Sequence, residues 1–315
     1  MAQGNNIHTN TQQLSIGLSM VKKGLSISSK ISKGMTIKIV TRLFCKPSRQ
    51  KMKRKHRAFY QQGRTDTLSI RGFKVKVLRL GEGQPVYMSH GWGSLGYNLR
   101  PLAESLVKEG YEVIIPDLPC HGRSSGTFIN QIEMSKVVQE LLLHYNSEKP
   151  LEHIVTHSWG GTATLLAMDG IRRDGIPAFD VKKMVSISMP SAPNAIMDIF
   201  CDILGLSEEV KRGLYQNISE MAGKDGRSLE QAFPMGLPEL LENPGFDYVL
   251  IHGKEDKAIP YTNSLELAAK YPQLSTRCLD GLGHIDILKD EQVQQELLLH
   301  LSERKEVNQR VLRVR

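Results

Sequence analysis

The chain has 315 residues, 40% of them apolar and 23% charged, an ordinary globular composition with room for one large or two modest domains. Its net charge of +8 is uneven: residues 1–64 hold fourteen Lys and Arg and no acid, and the remainder holds 27 bases against 33 acids, so +14 and −6 give +8. The main body is therefore mildly acidic, and no nucleic-acid partner is expected for it despite the positive total.

The four cysteines (Cys45, Cys120, Cys201, Cys278) are scattered and form no C-x-x-C pair, which reads as a reduced inventory. No run of about eighteen apolar residues suggests a membrane span. A secretory signal pattern is missing and Gly4 is not at position 2, so a cytoplasmic location is expected.

In chain order, residues 1–13 are polar and are expected to be disordered. Leu14, Leu18, Val21 and Leu25 then recur at helical spacing, whereas Met35, Ile37 and Ile39 alternate as a strand would, so the period is ambiguous. A basic run, 46–57, closes a basic N-terminal segment (1–64), partly disordered or helical. It has three readings: a charged face of a helix packed on the main domain, contact with an anionic membrane surface, or an organellar transit peptide. Thr67 to Ile70 and Phe73 to Leu80 alternate around Arg71-Gly72 as a hairpin does. Buried-type strands follow at 85–88, 111–117, 151–157 and 183–189, each separated by a helical pattern. Strands alternating with helices imply a largely parallel sheet. From Pro190 that rhythm breaks for about fifty residues. This interval holds helix-like pieces at 195–204 and 207–221 and a short one from Ser228, where Ser228 and Gln231 form a capping box. Strands resume at 248–251 and 275–279, a last helix is predicted over 285–304, and a tail runs over 305–315.

The chemistry concentrates where the strand ending at His157 turns sharply into a helical pattern, with Ser158 at the junction followed by Trp159-Gly160-Gly161. A serine there is either a plain N-cap or a nucleophile lifted clear of the backbone with a helix N-terminus behind it. The stretch resembles the nucleophile elbow of α/β-hydrolases, small-x-Ser-x-Gly between strand and helix. It departs at Thr156, where that family usually has glycine, and a β-branched residue there is expected to open the turn slightly. Serine needs a base held by a third group. Two later loops supply them: His252-Gly253-Lys254-Glu255-Asp256-Lys257-Ala258-Ile259-Pro260 and Gly281-Leu282-Gly283-His284. Both resemble the family's acid and histidine loops, and the order Ser, Asp, His is the family's own.

The resemblance, over about 67–304, implies an α/β-hydrolase fold: a mostly parallel central sheet flanked by helices, core 67–190 and 246–304, with a small helical cap (191–245) inserted after the sixth strand. It implies a catalytic set of Ser158, Asp256 and His284, with Glu255 as back-up acid. By the match of Ser89-His90-Gly91-Trp92-Gly93-Ser94 to the family's HG-x loop, it places an oxyanion hole at the amides of Trp92 and Trp159. His90, Asp117 and His121 are then structural, and His157 shapes the site. Neither metal nor cofactor is expected, because zinc spacing and phosphate loops are missing, and a serine nucleophile argues against dehalogenase and epoxide-hydrolase chemistry. The implied function is a carboxylic ester hydrolase working through an acyl-enzyme on a small, apolar substrate. The cap side chains Ile196, Met197, Ile199, Phe200, Ile203, Leu204, Phe233 and Met235 favour that substrate equally with simple core packing. A C–C bond hydrolase, a peptidase, an acyltransferase and an inactive binding protein stay open as alternatives.

Overall fold

The computed structural model describes residues 5–176, 179–191, 193–223, 239–242 and 244–302. Ser228, Gln231, Phe233, Met235 and the tail 305–315 lie outside the described residues. Eight strands make one sheet: β1 (Arg64–Ile70), β2 (Phe73–Leu80), β3 (Gln84–Ser89), β4 (Tyr111–Asp117), β5 (His153–His157), β6 (Lys183–Ile187), β7 (Asp247–Gly253) and β8 (Ser275–Leu279). Their order is β1-β2-β4-β3-β5-β6-β7-β8. From β4 and β3 onward neighbours pair parallel, and only β2 runs against its neighbours. The hairpin turn falls on Arg71 and Gly72, both at positive φ (48° and 80°), as a two-residue turn matched to strand twist requires.

The central strands are apolar on both faces because helices cover both. Ile154, Met184 and Leu250 point into one cluster with Val137, Val138 and Leu141 of a helix over Gln131–Glu148. Their chain neighbours Val155, Val185 and Ile251 point the other way, onto Leu102 and Leu106 of a helix over Arg100–Lys108 and Leu297 of one over Glu291–Ser302. The two-residue period of a strand produces this split. Parallel pairing then brings the carboxyl ends of β3, β5, β6, β7 and β8 to one rim, where the loops carrying Trp92, Ser158, Asp256 and His284 emerge.

The N-terminal segment differs from two expectations. Helix α1 (Asn5–Ile31) takes in residues 5–13 of the stretch expected to be disordered, a sequence that is mostly polar but holds neither Pro nor Gly to break a helix. The alternation at Met35, Ile37 and Ile39 is not a strand. Helix α2 (Lys33–Phe44) buries Thr36, Val40 and Phe44 at four-residue intervals, and Ser32 caps it by accepting from the Met35 N–H at 3.3 Å. Within the basic run, residues 46–53 are not helical, since Pro47 follows closely on α2. They strap the main domain: the Arg49 guanidinium donates to Gly122 O and Gly126 O, and Gln50 Nε2 donates to Gly93 O at 3.0 Å. Only from α3 (Arg54–Tyr60) does a helix pack inward, through His56, Phe59 and Tyr60.

Between β6 and β7 lie α4 (Pro193–Leu204) and α5 (Glu208–Gly223), the latter capped by Ser207, whose Oγ accepts from the Val210 N–H at 3.4 Å. Helix α2 lies on α5. Lys33 Nζ meets Glu209 Oε2 at 2.5 Å, Asn217 Nδ2 donates to Thr41 Oγ1 at 3.1 Å, and the Ile37 side chain fills the space a Cβ at Gly213 would occupy. Composition sets residues 1–64 apart, but packing joins α2 to the inserted helices.

Candidate active site

The strand β5 ends at His157 and helix α6 (Trp159–Arg173) begins two residues on, so Ser158 alone makes the turn. It does so at φ 55° and ψ −134°, a left-handed conformation that costs a non-glycine residue about 1–2 kcal/mol. The neighbourhood holds it there. Ser158 N–H donates to Ile187 O at 2.8 Å, and Ser158 O accepts from the Gly161 N–H at 2.9 Å. Its hydroxyl makes no capping bond to α6, which disposes of the plain N-cap alternative. Thr156 does not crowd the turn either: its Oγ1 lies 2.7 Å from Ser186 Oγ, itself bonded by Tyr248 OH at 2.9 Å, so the branched side chain enters a buried polar chain below the elbow.

The three candidate side chains converge. His284 Nε2 is 3.0 Å from Ser158 Oγ, and His284 Nδ1 is 2.7 Å from Asp256 Oδ2. A carboxylate accepts only, so the ring proton sits on Nδ1 and the Nε2 lone pair faces the serine. The other oxygen of Asp256 accepts from the Ala258 and Ile259 N–H groups at 2.9 and 2.8 Å. Burial by itself would raise the Asp256 carboxyl. The bonds from His252, His284 and the Ile259 amide overcome that and hold it far below the usual carboxylate range. Glu255, the back-up acid, accepts instead from the Leu282 N–H at 3.1 Å, bracing the histidine loop.

Two supporting histidines stand behind these groups. His157 is buried, donates from Nε2 to the His284 carbonyl at 2.8 Å and lies with its ring 4.7 Å from that of His284. Burial, then the neighbouring His284, pushes it down to about 3, so it is neutral. Sequence reasoning overlooked His252. Its Nε2 donates to Ile259 O at 2.9 Å and its Nδ1 pairs with Ser264 Oγ at 2.7 Å, pinning the loop that carries Asp256. The signal was its place four residues before Asp256, at the end of β7.

The loop after β3 runs directly against the serine. A Cβ on Gly91 would stand 2.8 Å from Ser158 Cβ and 3.2 Å from its Oγ, so only glycine allows this approach. The amide of Trp92 follows at once, and that of Trp159, first in α6, has no acceptor within its helix. Two neutral histidines fix the loop. His90 donates from Nδ1 to Gly91 O at 2.8 Å and accepts from the Leu118 N–H at 3.0 Å. His121 donates from Nδ1 to Pro119 O and accepts from the Gly93 N–H at 2.9 Å. Burial lowers both. Asp117 is spent on Tyr60 OH, the Gly96 N–H and Arg123.

Over this floor sits an aromatic roof that no motif announces. The Trp92 and Trp159 rings are 4.8 Å apart, and Phe44, the last residue of α2, stands 6.4 and 5.9 Å from them and 5.2 Å from Phe200 of α4. Met197 and Leu204 of α4 are buried, whereas Ile203 is half exposed. Among the described residues, no group of three or more His, Cys, Asp or Glu could hold a metal, and no helix is long and apolar enough to cross a membrane.

Residues 86–295 match the model of the Alpha/beta hydrolase family. A soluble epoxide hydrolase of Corynebacterium sp. (strain C12) is 30% identical over 95 residues; that match spans 30% of this chain and about a third of the relative's length, 32%. An esterase of Pyrococcus furiosus superposes with a TM-score of 0.60 at 16% identity, covering 82% of this chain and 96% of its own. A meta-cleavage product hydrolase of Pseudomonas fluorescens superposes at 0.54 and 19% identity, covering 76% and 98%. At such identities these structures share the fold.

Proposed function

This chain belongs to the alpha/beta hydrolase family, and from that premise we propose that it is a serine hydrolase of carboxylic esters with a small, apolar substrate. One observation carries the reading: the unbroken line from Ser158 Oγ through the His284 ring to Asp256, at 3.0 and 2.7 Å. Ser158 attacks the ester carbonyl as its proton passes to His284 Nε2. Asp256 keeps the imidazole in the tautomer that accepts it and balances the charge that forms. The tetrahedral oxyanion lies against the amides of Trp92 and Trp159, each worth about 3 kcal/mol at the transition state. His284 returns the proton to the departing alkoxide, leaving an acyl-enzyme. A water, deprotonated by the same nitrogen, then releases the acid.

The roof of Phe44, Phe200, Trp92 and Trp159 favours an apolar acyl group. The epoxide hydrolase relative does not transfer its chemistry, because opening an epoxide by covalent catalysis needs a carboxylate nucleophile and position 158 is a serine. The reading extends to a cytoplasmic location and to contact between the basic N-terminal segment and an anionic membrane surface. A fluorophosphonate probe tests it: wild type is expected to be labelled and Ser158→Ala not. Acyl esters of graded length, run beside amides and vinylogous diketones, are expected to give turnover only with the esters. Faster cleavage of a diketone would move the assignment to C–C bond hydrolysis, and an unlabelled wild type would mark a binding protein.

A further inference from the structure

Helix α1 has two apolar faces, and the protein packs only one of them. Leu25, 6% exposed, faces inward, whereas Met20, Ile27 and Ile31 stand 70%, 61% and 79% exposed. At about 100° per residue, positions 20, 27 and 31 fall within about 40° of one another and about 140° away from position 25. They form a single outward stripe. Lys23 and Lys30 border it on one side, Lys22 lies about 160° round from Met20, and Met35 at the start of α2 is 60% exposed. Among the described residues these three lysines have no carboxylate partner, and residues 1–64 contain no acid that could supply one nearby.

An exposed apolar stripe of this size marks a docking surface, and its charge says what docks. A second copy of the chain would set lysine against lysine. A transmembrane arrangement is excluded for this helix by its lysines and low hydropathy. An apolar stripe with a basic flank is how a helix lies in the plane of an anionic bilayer, its apolar side chains at the headgroup boundary. We propose that the outer face of α1 docks the protein on an anionic phospholipid surface through Met20, Ile27 and Ile31, with Lys23 and Lys30 against the headgroups. Helix α2 carries this contact to the site, because its Lys33 is bound to the inserted helix α5 and its Phe44 rests on Trp92 and Trp159. Resting on the ester-hydrolase reading, one consequence follows: the surface delivers apolar acyl substrates from the bilayer to Ser158.

The test is flotation of the full chain with phosphatidylcholine vesicles, with and without phosphatidylserine. Wild type is expected to float with the anionic vesicles and to be released by salt. Met20→Gln/Ile27→Gln/Ile31→Gln and Lys23→Gln/Lys30→Gln should each lower the partition coefficient at least tenfold, roughly fivefold per basic side chain for the second. Both variants alter exposed side chains only, so circular dichroism and cleavage of a water-soluble short-chain ester should be unchanged. Equal flotation on neutral and anionic vesicles, or undiminished flotation of the apolar variant, would overturn the proposal. So would a wild-type dimer that the apolar variant turns into a monomer, since it would assign the face to a second copy. Flotation as expected with no ester cleavage would uphold docking while removing the hydrolase reading.

Discussion

The rim of the sheet and the N-terminal arm treat polar groups in opposite ways. At the rim nearly every buried charge or ring nitrogen is tied. Asp117 takes four donors, Asp256 is held by two amides and two histidines, and His90, His121 and His252 each use both ring nitrogens. On α1, Lys23, Lys30 and three large apolar side chains stand exposed on one outward face. The first pattern fixes positions to fractions of an ångström, which bond-making needs. The second fixes almost nothing by itself, and docking on an anionic surface would complete it. Phe44 links the two, since it belongs to the arm in sequence and to the rim in space.

The largest effect should come from cutting the line at the rim. Ser158→Ala or His284→Ala is expected to lower kcat on the preferred ester by about 10⁴–10⁶, and Asp256→Asn by about 10⁴, because the amide reverses the tautomer at His284. Unfolding midpoints should barely move for Ser158→Ala. If that variant kept its activity within tenfold of wild type, the rim would be a scaffold for other chemistry and the contrast with the arm would lose its meaning.

A smaller effect separates contact from chemistry. Gly91→Ala leaves all three side chains in place but sets a methyl group 2.8 Å from Ser158 Cβ. The loop must retreat, carrying the Trp92 amide away from the oxyanion. A loss of about 10²–10³ in kcat is expected, the worth of one donor, while KM changes little. Steady-state kinetics on one ester would show it, and a change in KM alone would mean that the loop binds substrate without stabilising the intermediate.

These two predictions concern the parts of the site that the sequence makes legible. The elbow, acid loop and histidine loop are short local patterns, and their order along alternating strands and helices specifies the sheet and the rim. The supporting residues are less visible. His252 lies within the acid loop, but its role depends on Ser264 and Ile259 O, which only the fold brings near. Phe44 has no local signature at all, since its partners Trp92, Trp159 and Phe200 are each supplied by a different element. The strand-like spacing of Met35, Ile37 and Ile39 misleads because two of those side chains serve opposite sides of a helix. Met35 is exposed, and Ile37 packs on Gly213. Alternation over three residues is too short to fix a period when the helix face is completed by Val40 and Phe44.

Phe44→Ala tests whether the arm is energetically part of the rim. The side chain is 4% exposed among three aromatic rings, and removing it should cost about 3 kcal/mol if arm and sheet unfold together. That cost would appear as a lower denaturant midpoint in a single transition. An unchanged midpoint for the sheet would show that α1 and α2 detach independently, and the roof would then be a docked accessory.

The smallest effect isolates the buried histidines. His157 is held down to about 3, against about 6.5 for the unfolded chain. Between these values the unfolded state carries a proton that the folded state refuses. Stability is therefore full above about pH 6.5 and falls as the pH drops toward 3. One such group contributes a slope of at most about 1.4 kcal/mol per pH unit, and His121, also held to about 3, acts with the same sign. Asp256, with its carboxyl depressed, also loses stability on acidification, but only below the ordinary carboxylate range, so the interval from about pH 6 to 5 belongs to the histidines. In that interval His157→Gln should flatten the plot of unfolding free energy against pH by about 1 kcal/mol per unit, while kcat changes little because the glutamine Nε2 can still donate to the His284 carbonyl. A slope identical to wild type would mean that His157 takes up a proton in the fold. That protonation would put a positive charge beside His284, and the contrast of a tightly tied rim with an open arm would no longer describe this protein.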